Sequence, residues 1–209
     1  MSNIENTKKL VWKFAKPDLD EKPILSILVC SLFEREHFLN TLYEEFKKQI
    51  SNENVNVEVV VVVTDKTISI GEKRNWLLDR AEGEYLCFFD DDDMPTPNYI
   101  KLLMKALESK QDCCSLKGII TFDGQNPEVF EHSIKYREWK TTTNDNPKYE
   151  RPPNHLNAIK STIAKRFRFP EINHGEDSQW SEAIFKSGLI QTEAYIEEVL
   201  YNYLYISKK

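Results

Sequence analysis

No apolar stretch in this 209-residue chain approaches the ~20 residues that span a bilayer, so no transmembrane segment is expected. Met1 to Lys22 is polar and lacks the apolar centre of a secretory signal peptide. Cysteine is scarce, and Cys30, Cys87, Cys113 and Cys114 show no paired metal spacing. Cys30 and Cys87 fall in apolar, strand-like runs, and the four read as reduced core residues of a cytoplasmic protein. Positive charge is in deficit: 28 Lys and Arg against 34 Asp and Glu leave a net −6. That removes the bulk electrostatic case for a nucleic acid partner. Internal repeats and low-complexity linkers are missing too. His37, His132 and His155 form no ligand spacing with one another, so histidine gives no metal signal.

What is present suits one sizeable core: 40% of residues are hydrophobic and 30% charged. The expected organisation is a leader over 1–22 and a single domain over 23–209, divided into halves 23–109 and 110–209. Leu10 to Phe14 could pack back on the body. Strands are expected over Ile24–Cys30, Val55–Val63 and Tyr85–Asp90, the second built on five consecutive valines. Helices are expected over Glu34–Ile50, Gly71–Ala81 and from Pro97 to about Ser109, their apolar residues near helical spacing. This alternation is the signature of parallel βαβ winding, an α/β fold. The second half is less regular. Cys113–Phe122 reads as one strand, Glu128–Trp139 as strand-like pieces and Thr141–Pro153 as a loop. Gly175–Lys186 reads as a helix stopped by Gly188, and Ala194–Ile206 as closing strands. This half is read as the part that shapes an acceptor pocket.

Tyr85-Leu86-Cys87-Phe88-Phe89 has no polar alternation, as in a central strand covered on both faces, and it runs straight into Asp90, Asp91, Asp92 and Asp93. Its end should open into the crevice where open α/β sheets bind ligands. Two carboxylates about 4 Å apart at an effective dielectric of about 20 repel by roughly 4 kcal/mol. Such a site must protonate, find cationic side chains or bind a metal, and hard oxygen ligands suit Mg²⁺ or Mn²⁺. Lys73 and Arg74 stand in a helical first turn, where the dipole disfavours cations. A bound phosphate would account for them, since a helix N-terminus is an anion site; alternatively they answer Glu72 or the Asp cluster. Glu176 and Asp177 open another helix, where acids are favourable on dipole grounds alone and where one could also serve as a general base. Asp65, after the valine strand, reads either as a turn residue or as a nucleotide contact, and Ser31 has the same two readings. Tyr201, Tyr203 and Tyr205 alternate on a terminal strand and read as packing in preference to a sugar platform.

In order, Ser31-Leu32-Phe33-Glu34-Arg35, Asp65, Gly71-Glu72-Lys73-Arg74-Asn75, Ala81-Glu82-Gly83-Glu84-Tyr85, Phe89-Asp90-Asp91-Asp92-Asp93 with Pro97, and Gly175-Glu176-Asp177 resemble the motifs of family-two glycosyltransferases. The resemblance covers 23–109 well and 154–188 more loosely. It implies a GT-A type, Rossmann-like sandwich with a mostly parallel central sheet flanked by helices. It also implies a metal-dependent inverting transfer of a sugar from a nucleotide-diphosphate donor, a UDP-sugar by expectation, to an acceptor hydroxyl. On this likeness Asp92 would hold Mn²⁺ or Mg²⁺ on the donor diphosphate, and Asp90 would share the metal or contact the ribose. Ser31, Asp65, Lys73, Arg74, Asp91 and Glu176 would form the nucleotide-sugar site, and Asp177 would be the catalytic base. The acceptor would be carbohydrate, lipid-linked or protein. Two departures stand out. Cys30-Ser31-Leu32-Phe33 replaces the commoner Pro-Thr-Tyr-Asn, and Tyr203-Leu204-Tyr205-Ile206 replaces a late Tyr-Arg-x-His. A nucleotide-sugar binding module without turnover is the alternative. A haloacid-dehalogenase-type phosphotransferase would want Thr or Val where Met94 or Pro95 stands.

Overall fold

Five consecutive valines make a strand here because both of its faces are covered. A computed structural model describes residues 10–15, 21–143 and 146–207. In chain order the strands are β1 (Leu10–Ala15), β2 (Leu25–Leu32), β3 (Val57–Thr64), β4 (Tyr85–Asp90), β5 (Met94–Pro95), β6 (Cys113–Cys114), β7 (Leu116–Phe122), β8 (Gln125–His132), β9 (Lys140–Thr141), β10 (Tyr149–Arg151), β11 (Ile159–Lys160), β12 (Glu193–Ala194) and β13 (Tyr201–Tyr205). The helices are α1 (Glu36–Glu53), α2 (Ile70–Arg80), α3 (Tyr99–Leu107), α4 (Ser161–Ala164) and α5 (Glu176–Ser187).

One sheet runs β1-β3-β2-β4-β11-β6-β12 and a second β5-β13-β7-β8-β10-β9. The long strands β3, β2 and β4 are parallel, as the winding expected; β1 and β11 add antiparallel neighbours on either side. Alternate residues of these strands feed two cores. Val29, Val61 and Phe89 join Leu42 and Phe46 of α1 and Leu103 of α3, while Val60, Leu86 and Phe88 join Leu77 of α2 and Trp180 of α5. Full burial of such a side chain contributes about 1.5–3 kcal/mol, so a strand with no polar face is stable only between two helical layers. Helix α5 ends where Gly188 adopts φ +66°, the left-handed stop expected of it.

Differences from the sequence reading collect in short elements. Strand β1 lies inside the segment read as a leader and extends the main sheet along β3, Leu10 opposite Val63; residues 1–9 and 16–20 lie outside the described residues. The single strand expected over Cys113–Phe122 is broken at buried Ser115, where the chain leaves the main sheet for the second. Ser115 Oγ accepts the Ile196 N–H at 2.7 Å, which anchors that crossing. The loop expected over Thr141–Pro153 contains β10, paired parallel with β8 and antiparallel with β9. Two- and three-residue strands carry no readable periodicity, which is why β5, β9, β10 and β11 had no sequence signal.

Candidate active site

Parallel strands bring their C-terminal ends to one rim, and that rim carries Ser31 of β2, Asp65 just beyond β3 and Asp90 of β4. The four acids meet their mutual repulsion in four different ways. Asp90 Oδ1 accepts from Arg74 Nη2 at 3.3 Å, and Asp90 Oδ2 lies 4.0 Å from His155 Nε2. Burial alone would raise the Asp90 carboxyl, but His155 and Arg74 outweigh it and hold the group well below the usual range. Asp91 is buried; it accepts from Ser31 Oγ at 2.5 Å and from Arg35 Nη2 and Nε at 2.6 and 3.1 Å. Arg35 also reaches Asp92 at 2.7 Å. Asp93 takes the remaining route, protonation: burial and then the charge of Asp90 push it up to about 8. It accepts from Tyr201 Oη at 2.7 Å and from the Leu204 N–H at 2.9 Å, which ties β13 to the acid loop.

Arg74 is fully enclosed over the faces of Phe88 and Phe169, with ring centroids 5.0 and 5.6 Å away. Burial opposes its charge, but Asp90, Glu176 and Asp177 overcome that and keep the guanidinium protonated. Glu176 is buried with Oε1 3.4 Å from Arg74 Nε. Asp177, in the first turn of α5, keeps about a third of its side chain in solvent and lies 3.7 Å from His155 Nδ1. Thus His155, buried and set just before β11, stands between Asp90 and Asp177. Neither of its ring nitrogens has a hydrogen-bond partner. The Phe88 N–H donates to the His155 carbonyl at 2.8 Å, so the backbone beside β4 sets the ring in place.

Asp90, Asp177 and His155 line one cleft of about 400 Å³, to which the second sheet contributes Phe130, His132 and Tyr203. A larger groove of about 700 Å³, bordered by Lys22, Glu82 and Lys165, lies near Gly83 at the other end of β4 and holds none of these acids.

The start of α2 is not an open phosphate cradle. The Ile70 N–H donates to Asn173 Oδ1, Gly71 to the Ile172 carbonyl, Glu72 to Ser69 Oγ and Lys73 to the Ser69 carbonyl. All four donors a phosphate would need are spent on capping. A Cβ on Gly71 would sit 1.8 Å from the Pro170 carbonyl oxygen, so only glycine allows this packing. Lys73 nonetheless remains a buried cation with no ion pair among the described residues, its charge disfavoured by burial and supported by Asp91. Asp65 builds a turn by accepting from the backbone and hydroxyl of Thr67. Ser31 spends its hydroxyl on Asp91. Of the late tyrosines, Tyr201 packs 4.4 Å from Phe89, whereas Tyr203 and Tyr205 line the cleft. His174 is exposed and away from the cleft.

Arg35 and His155 had no assigned role in the sequence. Arg35 stands inside the Ser31–Arg35 stretch, and a cation just past β2 was a usable signal. His155 carried none, because its position depends on how β11 pairs with β4.

A family model described as glycosyl transferase family 2 matches residues 58–169, more than half of the 209-residue chain. The chain belongs to glycosyl transferase family 2. No curated protein matches it by sequence. Among solved structures, a crystal structure of S. aureus TarS 1–349 in complex with UDP-GlcNAc is similar with a TM-score of 0.57 at 15% identity, covering 88% of this chain and 59% of that one. The same TarS segment with UDP gives 0.55 at 15% identity, with 86% and 60% covered, and a further crystal structure of TarS 1–349 gives 0.54 at 16%, with the same coverage. At such identity the likeness shows a common fold, the GT-A type, and the chain spans about three-fifths of the TarS segment.

Among the described residues no three His, Cys, Asp or Glu side chains converge as a ready-made metal cage. The site does fit a family-two metal of another kind. Asp90 and Asp92, each about a third exposed, offer hard oxygens at the rim. Mg²⁺ is commonly held by one or two carboxylates with substrate phosphates completing the shell.

Proposed function

We propose that this family-two glycosyltransferase catalyses metal-dependent, inverting transfer of a hexose or related sugar from a UDP-sugar to an acceptor hydroxyl. The observation that carries the reading is that Asp90 and Asp177 face one cleft from opposite elements, with His155 between them. Asp92 and Asp90 would hold Mn²⁺ or Mg²⁺, which when bound supplies positive charge to the departing diphosphate. Lys73, a buried cation with no ion pair among the described residues, would face the same anion. The TarS structures with UDP and UDP-GlcNAc support a uridine donor. Asp65 and Ser31 stand at the neighbouring strand ends, where the base and ribose would lie, Ser31 acting through Asp91.

Asp177 serves as the base. Its place in the first turn of α5 puts it at the positive end of the helix dipole, and its partial exposure lets a substrate reach it. It takes the proton of the acceptor hydroxyl as that oxygen bonds to the anomeric carbon. The bond to the diphosphate oxygen breaks on the opposite face, leaving inverted configuration and a nucleoside diphosphate. Buried Glu176 and Arg74 fix the helix that presents it. Four free cysteines, three of them buried, support a reducing, cytoplasmic setting.

The test is a thermal-shift panel of UDP-, GDP-, dTDP- and CMP-sugars, each with Mn²⁺ and with chelator, since binding to the native state raises Tm by mass action. UDP-sugars should shift Tm with Mn²⁺ and lose the shift with chelator; no shift from any nucleotide overturns the reading. Asp177→Asn should keep the shift and lose turnover by about 10²-fold or more. Full turnover in that variant removes Asp177 as the base.

A further inference from the structure

One cation at the rim is divided between two acids. Arg35 ends the short turn that joins β2 to α1 and keeps 31% of its side chain in solvent. Its Nε and Nη2 donate to Asp91 Oδ2 and Oδ1 at 3.1 and 2.6 Å, the two-pronged geometry that suits a guanidinium. The same Nη2 lies 2.7 Å from Asp92 Oδ2. Phe38 backs the group, its ring centroid 5.5 Å from the guanidinium carbon. The two halves of this contact differ in kind. Asp91 is buried and held from its other side by Ser31 Oγ, so that half is fixed. Asp92 is about a third exposed, and its side chain has no second partner among the described residues, so that half can exchange.

Asp92 is also the carboxylate that would hold the divalent ion on the donor diphosphate. Ion and guanidinium therefore call on one side chain. An ion on Oδ2 has to displace Nη2. An ion on Oδ1 lies beside the guanidinium across the width of a single carboxylate, where like charges repel strongly. Arg35 is the sole cation within ion-pair distance of Asp92 among the described residues. Strand β13 reaches the acid loop through Tyr201 and Leu204 but brings no cation of its own.

We propose that Arg35 is a resident counter-ion of Asp92, which a divalent cation must dislodge, and that the donor diphosphate favours the exchange by giving the released donor a new anion. The clamp on Asp91 stays closed throughout, so one N–H group changes partner and the side chain keeps its place. Metal and nucleotide are thereby coupled, each raising the affinity for the other. The proposal rests on the glycosyl-transfer reading and adds to it a positioning residue that acts through Asp92.

The test is the Mn²⁺ affinity of the full chain, read from the free-Mn²⁺ signal in electron paramagnetic resonance, with and without UDP. Without nucleotide, Arg35→Gln should bind Mn²⁺ about tenfold more tightly than wild type, because the competing charge is gone. The factor by which UDP tightens Mn²⁺ should shrink by about the same tenfold. An arginine that only holds the loop together predicts the opposite sign, since a loosened acid loop grips the ion less well. Arg35→Gln also strands the buried Asp91 carboxylate, so the substitution is repeated in an Asp91→Asn background, where no buried charge loses its partner. The gain in Mn²⁺ affinity over Asp91→Asn alone should match, and this pair decides if the single variant does not fold. Equal or weaker Mn²⁺ binding in the deciding comparison overturns the proposal. With wild type still binding UDP in the presence of Mn²⁺, that result leaves the transfer reading standing. A wild-type chain that binds UDP neither with Mn²⁺ nor with chelator removes the transfer reading and the proposal together.

Discussion

Asp90 and Asp92 each keep 34% of their side chains in solvent, whereas Asp91 and Asp93 are 5% and 1% exposed. Neighbours in one acidic run thus do two kinds of work. In the outward pair, Asp90 lines the cleft with Arg74 at 3.3 Å, and Asp92 stands at the rim 2.7 Å from Arg35, a cation it shares with Asp91. The inward pair is fully engaged by protein. Asp91 is clamped by Ser31 and Arg35 to the end of β2, and Asp93 is tied to Tyr201 and Leu204 of β13. The alternation lets one short loop offer charge on one side and join the two sheets on the other. A solvated acidic loop would show four similar exposures and no such division.

The comparison breaks most visibly at the outward pair. Asp92→Asn should cut transfer by about 10²-fold or more, the scale of losing one preorganised charge contact in a transition state. Tm should hardly change, since an ion pair as exposed as Arg35–Asp92 is worth about 0–1 kcal/mol. Nucleotide affinity should also stop responding to Mn²⁺, measured by calorimetry with metal and with chelator. An unchanged metal response would move the cation elsewhere. Asp91→Ala should do the reverse. It strips Arg35 of a two-pronged partner and Ser31 of its acceptor, so stability should fall by about 1–3 kcal/mol. That is a drop of roughly 2–4 °C in Tm per kcal/mol for a chain of this size. A variant of full stability and lost nucleotide binding would show that Asp91 reads the ligand directly.

The sequence made this rim legible because its cause is local. Tyr85–Phe89 is apolar at every position and must be covered on both faces, so the acids that follow have to emerge at a sheet edge. The same argument placed β2 and β3, and with them Ser31 and Asp65. The role of each acid was less legible, since which of four consecutive carboxylates turns inward depends on Arg35 and Tyr201, one of them 108 residues from its partner Asp93. The expected phosphate cradle at α2 failed for the same reason: Asn173, 103 residues away, caps the helix from outside its own sequence. In the cleft lining, His155 lies just before β11 and Trp139 just before β9, two-residue strands too short to leave a period in the chain. Local chemistry was readable, and chemistry assembled by long-range pairing of short strands was not.

The inward pair also carries the most discriminating effect, through Asp93. Its carboxyl is pushed up to about 8 by burial and by Asp90, against about 3.9 in an unfolded chain. Between those values the folded protein holds a proton that the unfolded chain has released. Stability from this group is therefore fully present below about pH 4 and is lost as pH rises towards 8. Asp93→Asn keeps the neutral form at every pH: its carbonyl can accept the Leu204 N–H and its amide can donate to Tyr201. The Tm of the variant minus that of wild type should widen from pH 4 to about 8 and then level off, with contributions from other groups cancelling in the difference. A gap that stays flat across the range would mean that Asp93 is ionised beside Asp90. The inward pair would then be another charged pair awaiting a cation, and the division of the run into two kinds of acid would fall.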